Sequence, residues 1–230
     1  MIKCPQNWQV FENPEQLAQQ AVAQIVECAE QAIAERGAFH LVTAGGTTPN
    51  RCYELLAQRD DQAWSNWFIY MGDERVLAAD DPERNSQALL QAWLHLNQIP
   101  ADQIFFMPTE LGLNAAVEAY QSQLATAPIF DLVLLGMGED GHTASLFPGH
   151  DNQTKTDSVI AITNSPKPPA ERVSLSYPRL NQSRMMLKLI SGAGKHAAVQ
   201  AWLQDQDLPI ARLSGEQNRV YLDQSAWSGA

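Results

Sequence analysis

Cysteine is nearly missing from this chain: only Cys4, Cys28 and Cys52 occur in 230 residues, far apart. That spacing makes neither a metal knuckle nor a disulfide framework, and it points to a reducing compartment. Basic residues are also scarce. Fifteen Lys and Arg face 26 Asp and Glu, a formal charge of −11. A surface of that sign repels nucleic acid and anionic membrane, so neither is expected as a partner. No apolar run approaches the ~20 residues that span a bilayer. Met1 to Pro14 has no apolar core flanked by basic residues, so no signal peptide is expected and the cytoplasm is the expected location. Internal repeats, low-complexity tracts, a Walker phosphate loop and the G-x-S-x-G elbow of serine hydrolases are all absent.

What remains is ample for a packed core, with 45% hydrophobic residues. A single domain over residues 1–230 is expected. Asn13-Pro14, with Gln16 at the capping-box position, opens a helix. Leu17, Ala21, Val22, Ile25, Val26, Ala29 and Ile33 share one face of it, and Gly37 ends it. Apolar runs at Phe39–Thr43, Trp67–Met71, Ile104–Met107 and Phe130–Leu135 predict strands. Further strands are predicted at Val159–Ile162, Arg172–Ser176, Met185–Ile190 and Arg219–Leu222. Helical patterns fall between most of them, after Pro49, up to Leu94, over Asn114–Ala125 and through Leu203. The alternation argues a mainly parallel sheet with helices on both faces. Asn164 to Pro169 is proline-rich and short, and reads as a loop.

The most informative stretch is Phe130 to Gly149, FDLVLLGMGEDGHTASLFPG. A buried strand stops at Gly136, and Gly138, Glu139, Asp140, Gly141 and His142 follow. An α/β enzyme presents its chemistry at this edge of a sheet. His142 is the side chain here that exchanges a proton near neutral pH without special tuning. The glycines also match the dinucleotide pattern G-x-G-x-x-G, but the context is wrong. Pro148-Gly149 breaks the chain soon after, and no carboxylate follows the next strand.

Three other polar clusters follow strands, and in an open parallel sheet such clusters converge on one edge. Gly45-Gly46-Thr47-Thr48 offers amides and two hydroxyls at a helix start, suiting either a phosphate or an ordinary tight turn. Asp73-Glu74-Arg75 is either a site or a solvated charge run. Lys195, near a helix start, opposes the dipole there and suggests an anion nearby; the bland alternative is a solvated lysine. Arg172 opens a strand, where its fork suits a phosphate as well as a surface pair with Glu171. His142 has the alternative of a structural histidine, and His150 is a second candidate. A metal site is not expected, because His142 has no partner at ligand spacing.

These residues carry a resemblance. Gly136 to Gly149 is similar to the signature of the 6-phosphogluconolactonases. Ala44 to Pro49, Gly72 to Arg75, and Pro168 to Ser174 followed by Ser191 to Lys195 agree in order. The resemblance covers about Phe39 to Leu222. It implies the three-layer α/β/α sandwich shared with glucosamine-6-phosphate deaminase. It further implies hydrolysis of 6-phospho-D-glucono-1,5-lactone in the oxidative pentose phosphate pathway, with no metal or organic cofactor, by a monomer or weak homodimer. Under the resemblance His142 looks like the base that activates water. Arg75 lies near the lactone carbonyl, with Asp73 and Asp140 in direct or orienting roles. Gly45, Gly46, Thr47, Thr48, Gly138, Arg172 and Lys195 hold the substrate. The chain departs from the family at Ala44 and Thr47, where serines are more usual, at Val76-Leu77-Ala78, and at Arg84 before Asn85. The isomerase-deaminases of the same fold typically carry Asp-Glu-Tyr, so Arg75 favours the lactonase. A sugar-phosphate sensor would need a basic DNA-binding module that this acidic chain lacks.

Overall fold

A computed structural model of the chain describes residues 4–150 and 155–229. In order, its elements are β1 (Trp8–Phe11), α1 (Pro14–Arg36), β2 (Phe39–Thr43), α2 (Thr47–Ala57), β3 (Trp67–Met71) and β4 (Asp73–Arg75). Then come α3 (Asn85–Ala92), β5 (Ile104–Phe105), α4 (Leu113–Leu124), β6 (Phe130–Gly136), β7 (Val159–Ile162) and β8 (Arg172–Leu175). The last are α5 (Tyr177–Asn181), β9 (Ser183–Ile190), α6 (His196–Leu203), α7 (Pro209–Arg212), β10 (Gln217–Asp223) and α8 (Gln224–Ser228).

The first long helix forms as its ends predict. The Asn13 side chain accepts from the Gln16 amide at 2.9 Å. Gly37 sits at φ +79° and donates to the Ile33 carbonyl, closing the helix as a left-handed cap.

Seven strands pair in the order β1-β10-β9-β6-β2-β3-β5, every neighbour parallel. Their near-continuous burial follows from cover on both faces. Two neighbours on β9 make this concrete, because successive strand residues point to opposite faces. Lys188 reaches Trp202 of α6 and the Leu213 carbonyl. The next residue, Leu189, pairs with Tyr221, whose hydroxyl reaches Gln24 of α1. The architecture is the expected three-layer α/β/α sandwich.

The structure corrects the sequence reading in one important place. Val159–Ile162 and the strand starting at Arg172 do not join the main sheet. With β4 they form a separate antiparallel sheet, β4-β8-β7. Residues 163–171 are too few for a parallel crossover, which takes a dozen or more, so the two strands can only fold back on each other. The chain reaches this small sheet at Gly72, whose amide donates to Thr43 and whose carbonyl accepts from Leu175. Strand β1 was not anticipated, and β5 keeps two of its four expected residues.

Connections after β2 run outward to β3 and β5, whereas those after β6 run the other way to β9 and β10. The crevice between the carboxyl ends of β2 and β6 is the topological switch point, where ligands bind in open α/β sheets. No described helix is long and apolar enough to cross a membrane.

Candidate active site

A cavity of about 620 Å³ opens at that crevice. This lies within the usual size of small-ligand sites. Asp73, Arg75, His142, Gly138, Arg172 and Lys195 line it, as do Gly45, Gly46, Thr47 and Thr48. The sequence clusters therefore converge on one place. Asp140 does not line the cavity but touches His142, which does.

The glycine segment is shaped by its neighbours. The Tyr53 hydroxyl both donates to the Ala44 carbonyl and accepts from its amide, at 2.9 Å each. Gly46 holds φ +114°, a conformation that disfavours a side chain. A Cβ on Gly45 would lie 2.3 Å from the Asn85 side-chain oxygen, so that glycine is required for close packing. No side chain caps α2. Its first amides, at Thr47 and Thr48, are donors at the positive end of the helix dipole.

The charged run at Asp73–Arg75 is no solvated surface. Glu74 is fully buried and accepts from the amides of Arg75, Asn85 and Ser86, each at 2.8 Å, capping α3. Asp73 is buried too. It accepts from Ser145 Oγ at 2.6 Å and from the Asn85 amide nitrogen at 3.1 Å. Burial pushes the Asp73 carboxyl upward, with the Ser145 hydrogen bond opposing. Arg75 Nη1 donates to the Glu83 carbonyl at 2.6 Å. Arg75 also stands directly opposite Arg172 across the β4–β8 ladder. Like charges facing each other across strands are unfavourable, and Glu83, 3.6 Å from Arg75, offsets part of that cost.

Arg84 explains the loop where the chain departs from the family. It is buried, donates to Glu110 at 2.9 Å and to the Met107 carbonyl at 2.8 Å, and its Nε lies 3.6 Å from Glu74. It anchors residues 83–85, and with them the carbonyl that holds Arg75.

His142 sits at the centre. Its Nδ1 lies 2.5 Å from Asp140 Oδ1, and its own amide donates to the same oxygen at 3.2 Å. An ionised carboxylate only accepts, so Nδ1 carries the proton and Nε2 keeps its lone pair. Burial pushes the His142 imidazolium down, outweighing the Asp140 carboxylate, which favours it. Burial pushes the Asp140 carboxyl up, but the hydrogen bond and charge of His142 together with nearby backbone amides outweigh it and hold the group below the usual range. The pair is a neutral imidazole oriented by an anion. The ring lies 4.7 Å from Phe147, centroid to centroid. Gly138 makes the room: a Cβ there would sit 2.0 Å from His142 Nδ1. His150, the second candidate, lies on the Phe147 ring and does not line the cavity.

Arg172 is buried, and its hydrogen bonds go to carbonyls of residues 167–169 and not to Glu171. Its guanidinium donates to the carbonyls of Pro168, Lys167 and Pro169, at 2.9, 3.2 and 3.3 Å. Lys195 closes a turn of 3-10 helix, Ala193–Lys195, before α6. Burial pushes its ammonium down, while Glu139 opposes. Polar lining residues not singled out as site residues in the sequence include Glu83, Asn85 and Lys167. Asn85 lacked any signal, since its importance comes from touching Asp73 and Gly45 in space.

The family described as glucosamine-6-phosphate isomerases/6-phosphogluconolactonase matches residues 12–222. A 6-phosphogluconolactonase of Mycobacterium tuberculosis is 36% identical over 231 residues, covering 93% of this chain and 94% of its own length. Chloroplastic rice proteins called probable 6-phosphogluconolactonase 4 are 35% identical over 215 residues, or 86% of this chain, and the chain spans 66% of their length. The crystal structure of 6-phosphogluconolactonase from Thermotoga maritima matches with a TM-score of 0.87 at 29% identity, over 94% of this chain and 99% of that one. A monomeric glucosamine-6-phosphate deaminase matches with a TM-score of 0.82 at 22% identity, over 97% of this chain and 100% of that one, a likeness of fold.

Proposed function

The chain belongs to the glucosamine-6-phosphate isomerase/6-phosphogluconolactonase family, and from that premise we propose that it hydrolyses 6-phospho-D-glucono-1,5-lactone to 6-phospho-D-gluconate in the oxidative pentose phosphate pathway. The observation that carries this reading is the His142–Asp140 pair, a neutral base facing a cavity with cations on its walls.

A lactone carbonyl is a good electrophile, so activated water suffices. Water attacks the carbonyl carbon while His142 Nε2 takes its proton. Asp140 stabilises the imidazolium that forms and keeps the ring in one tautomer. Negative charge develops on the carbonyl oxygen, where Arg75 stabilises it. The ring C–O bond then breaks, and His142 returns the proton to the departing ring oxygen. One water has been added across one ester bond, and the acid ionises to the carboxylate. Asp73, tied to Ser145 and Asn85, orients the wall and does not take the proton.

The phosphate sits at the Gly45–Thr48 segment and the start of α2, with Lys195 and Arg172 supplying charge. Its distance from the reacting carbon turns binding energy into orientation. The acid limb of the pH–rate profile falls below the ~6.5 of an ordinary histidine, because burial keeps His142 neutral.

The test is turnover by the purified chain with two substrates. Lactone loss above the spontaneous rate, with no ammonia released from glucosamine 6-phosphate, supports the reading. Ammonia release would make the chain a deaminase, and binding without turnover of either would make it a sensor.

A further inference from the structure

The loop at residues 163–171 brings a cation to the cavity that no motif singled out. Lys167 lines the wall beside Pro168 and Arg172. Its backbone is fixed by several bonds. Its carbonyl accepts from Ser165 Oγ at 2.7 Å and Arg172 Nη2 at 3.2 Å, and its amide donates to Ser165 Oγ at 3.2 Å. The Ser165 amide donates to the Ala170 carbonyl at 3.0 Å, closing the loop at its base. The backbone is thus rigid while the side chain is exposed over the opening.

Charge makes this placement informative. The chain has 15 basic residues against 26 acidic ones. Four of the basic ones, Arg75, Lys167, Arg172 and Lys195, meet at this cavity. Among its lining residues only Asp73 and Glu83 oppose them. Glu83 is taken by Arg75, and Asp73 is buried on Ser145 and Asn85. Lys167 and Lys195 come from different loops; Glu139 and Asp140 favour the Lys195 ammonium, and Lys167 disfavours it. Four cations around one opening make it a place that favours an anion.

We propose that Lys167 is a substrate-contacting residue that determines specificity, closing over the phosphate of the sugar opposite Lys195. This rests on the lactonase reading for the substrate, but the anion site itself does not. The phosphate is held between two lysines from separate loops, with the amides of α2 and Arg172 behind it. Unphosphorylated lactones lack the group that these cations meet.

Lys167 also acts on the base. The charged groups facing His142 are Asp140 from its own loop, Asp73 from β4 and Lys167 from the 163–171 loop. The two carboxylates favour the imidazolium, and Lys167 alone of the three disfavours it. A bound phosphate would pull a proton onto His142. Lys167, lying near both, offsets that pull.

The experiment compares wild type, Lys167→Met and Lys167→Arg with the phosphorylated lactone and with glucono-1,5-lactone. Spontaneous hydrolysis is subtracted, and inhibition by inorganic phosphate is measured alongside. Lys167→Met should lose roughly tenfold in kcat/KM for the phosphorylated lactone, chiefly through KM, as expected for one charge-assisted hydrogen bond. It should leave the unphosphorylated lactone unaffected on the pH plateau above the acid limb, weaken phosphate inhibition, and move the acid limb to higher pH. Lys167→Arg should restore all three. Values within twofold of wild type, with an unmoved acid limb, would overturn the proposal. If the wild type turns over no lactone, the lactonase reading fails instead. Calorimetric phosphate binding, weakened or unchanged in Lys167→Met, then decides the role of Lys167 by itself.

Discussion

Gly138→Ala is the sharpest perturbation that the geometry allows. The backbone of Gly138 does not need a left-handed conformation, so alanine adds no strain of its own. The added methyl, however, would lie 2.0 Å from His142 Nδ1, 2.1 Å from Cε1 and 2.8 Å from Asp140 Oδ1. Carbon contacts relax at ~3.5 Å, so the ring must retreat by roughly 1.5 Å. A displacement of that size costs about 10²-fold in turnover, rising towards 10⁴-fold if the base is lost entirely. Stability should fall much less. The ring is 17% exposed at the side chain and can swing towards solvent. Overpacking costs ~1–3 kcal/mol, a few degrees in Tm for a chain of this size. The assay is lactone hydrolysis at pH 7 with a thermal melt as control. The effects of Gly138→Ala and His142→Asn should not add, because both remove one group. Turnover by Gly138→Ala within threefold of wild type, with a normal melt, would refute the placement of His142.

Two further expectations concern stability. Lys188 is 3% exposed, donates to the Leu213 carbonyl at 2.8 Å and lies over Trp202, and burial pushes its ammonium down to about 8. Its unfolded value of ~10.4 is higher, so the cost of the buried charge is present in full below pH 8 and is relieved as pH rises from 8 towards 10.4. Lys188→Met should therefore be more stable at pH 7 by about 1–3 kcal/mol after the lost hydrogen bond, and the gain should shrink above pH 8; a lower melt than wild type at pH 7 would contradict this. Arg84→Ala should cost about 2–4 kcal/mol, since it strips the cation from fully buried Glu74, and should also lower kcat by freeing the loop that holds Arg75; a melt within 2 °C of wild type would refute that anchoring role.

Much of this was written in the order of the residues. Each apolar run that stops at a glycine, such as Phe130–Gly136 and Trp67–Met71, became a strand of the main sheet. The clusters after them meet because parallel strands all end on one edge. The small sheet was hidden because Val159–Ile162 and Arg172–Leu175 look like any buried strands. Only the short connection between them separates an antiparallel pair from a parallel one. The contacts of Arg172 with the carbonyls of residues 167–169 are encoded in no local pattern. The same holds for Asp73, whose ties to Ser145 and Asn85 span 72 and 12 residues.

The account stands on His142 as the base. The most direct measurement is the rate of 6-phosphogluconolactone hydrolysis by His142→Asn across pH 5 to 8, with spontaneous hydrolysis subtracted. Turnover should fall by roughly 10²–10⁴-fold, and the acid limb of the wild type should vanish with it. The melt and inhibition by inorganic phosphate should stay near wild type. Undiminished hydrolysis in His142→Asn, with the same acid limb, would contradict the account.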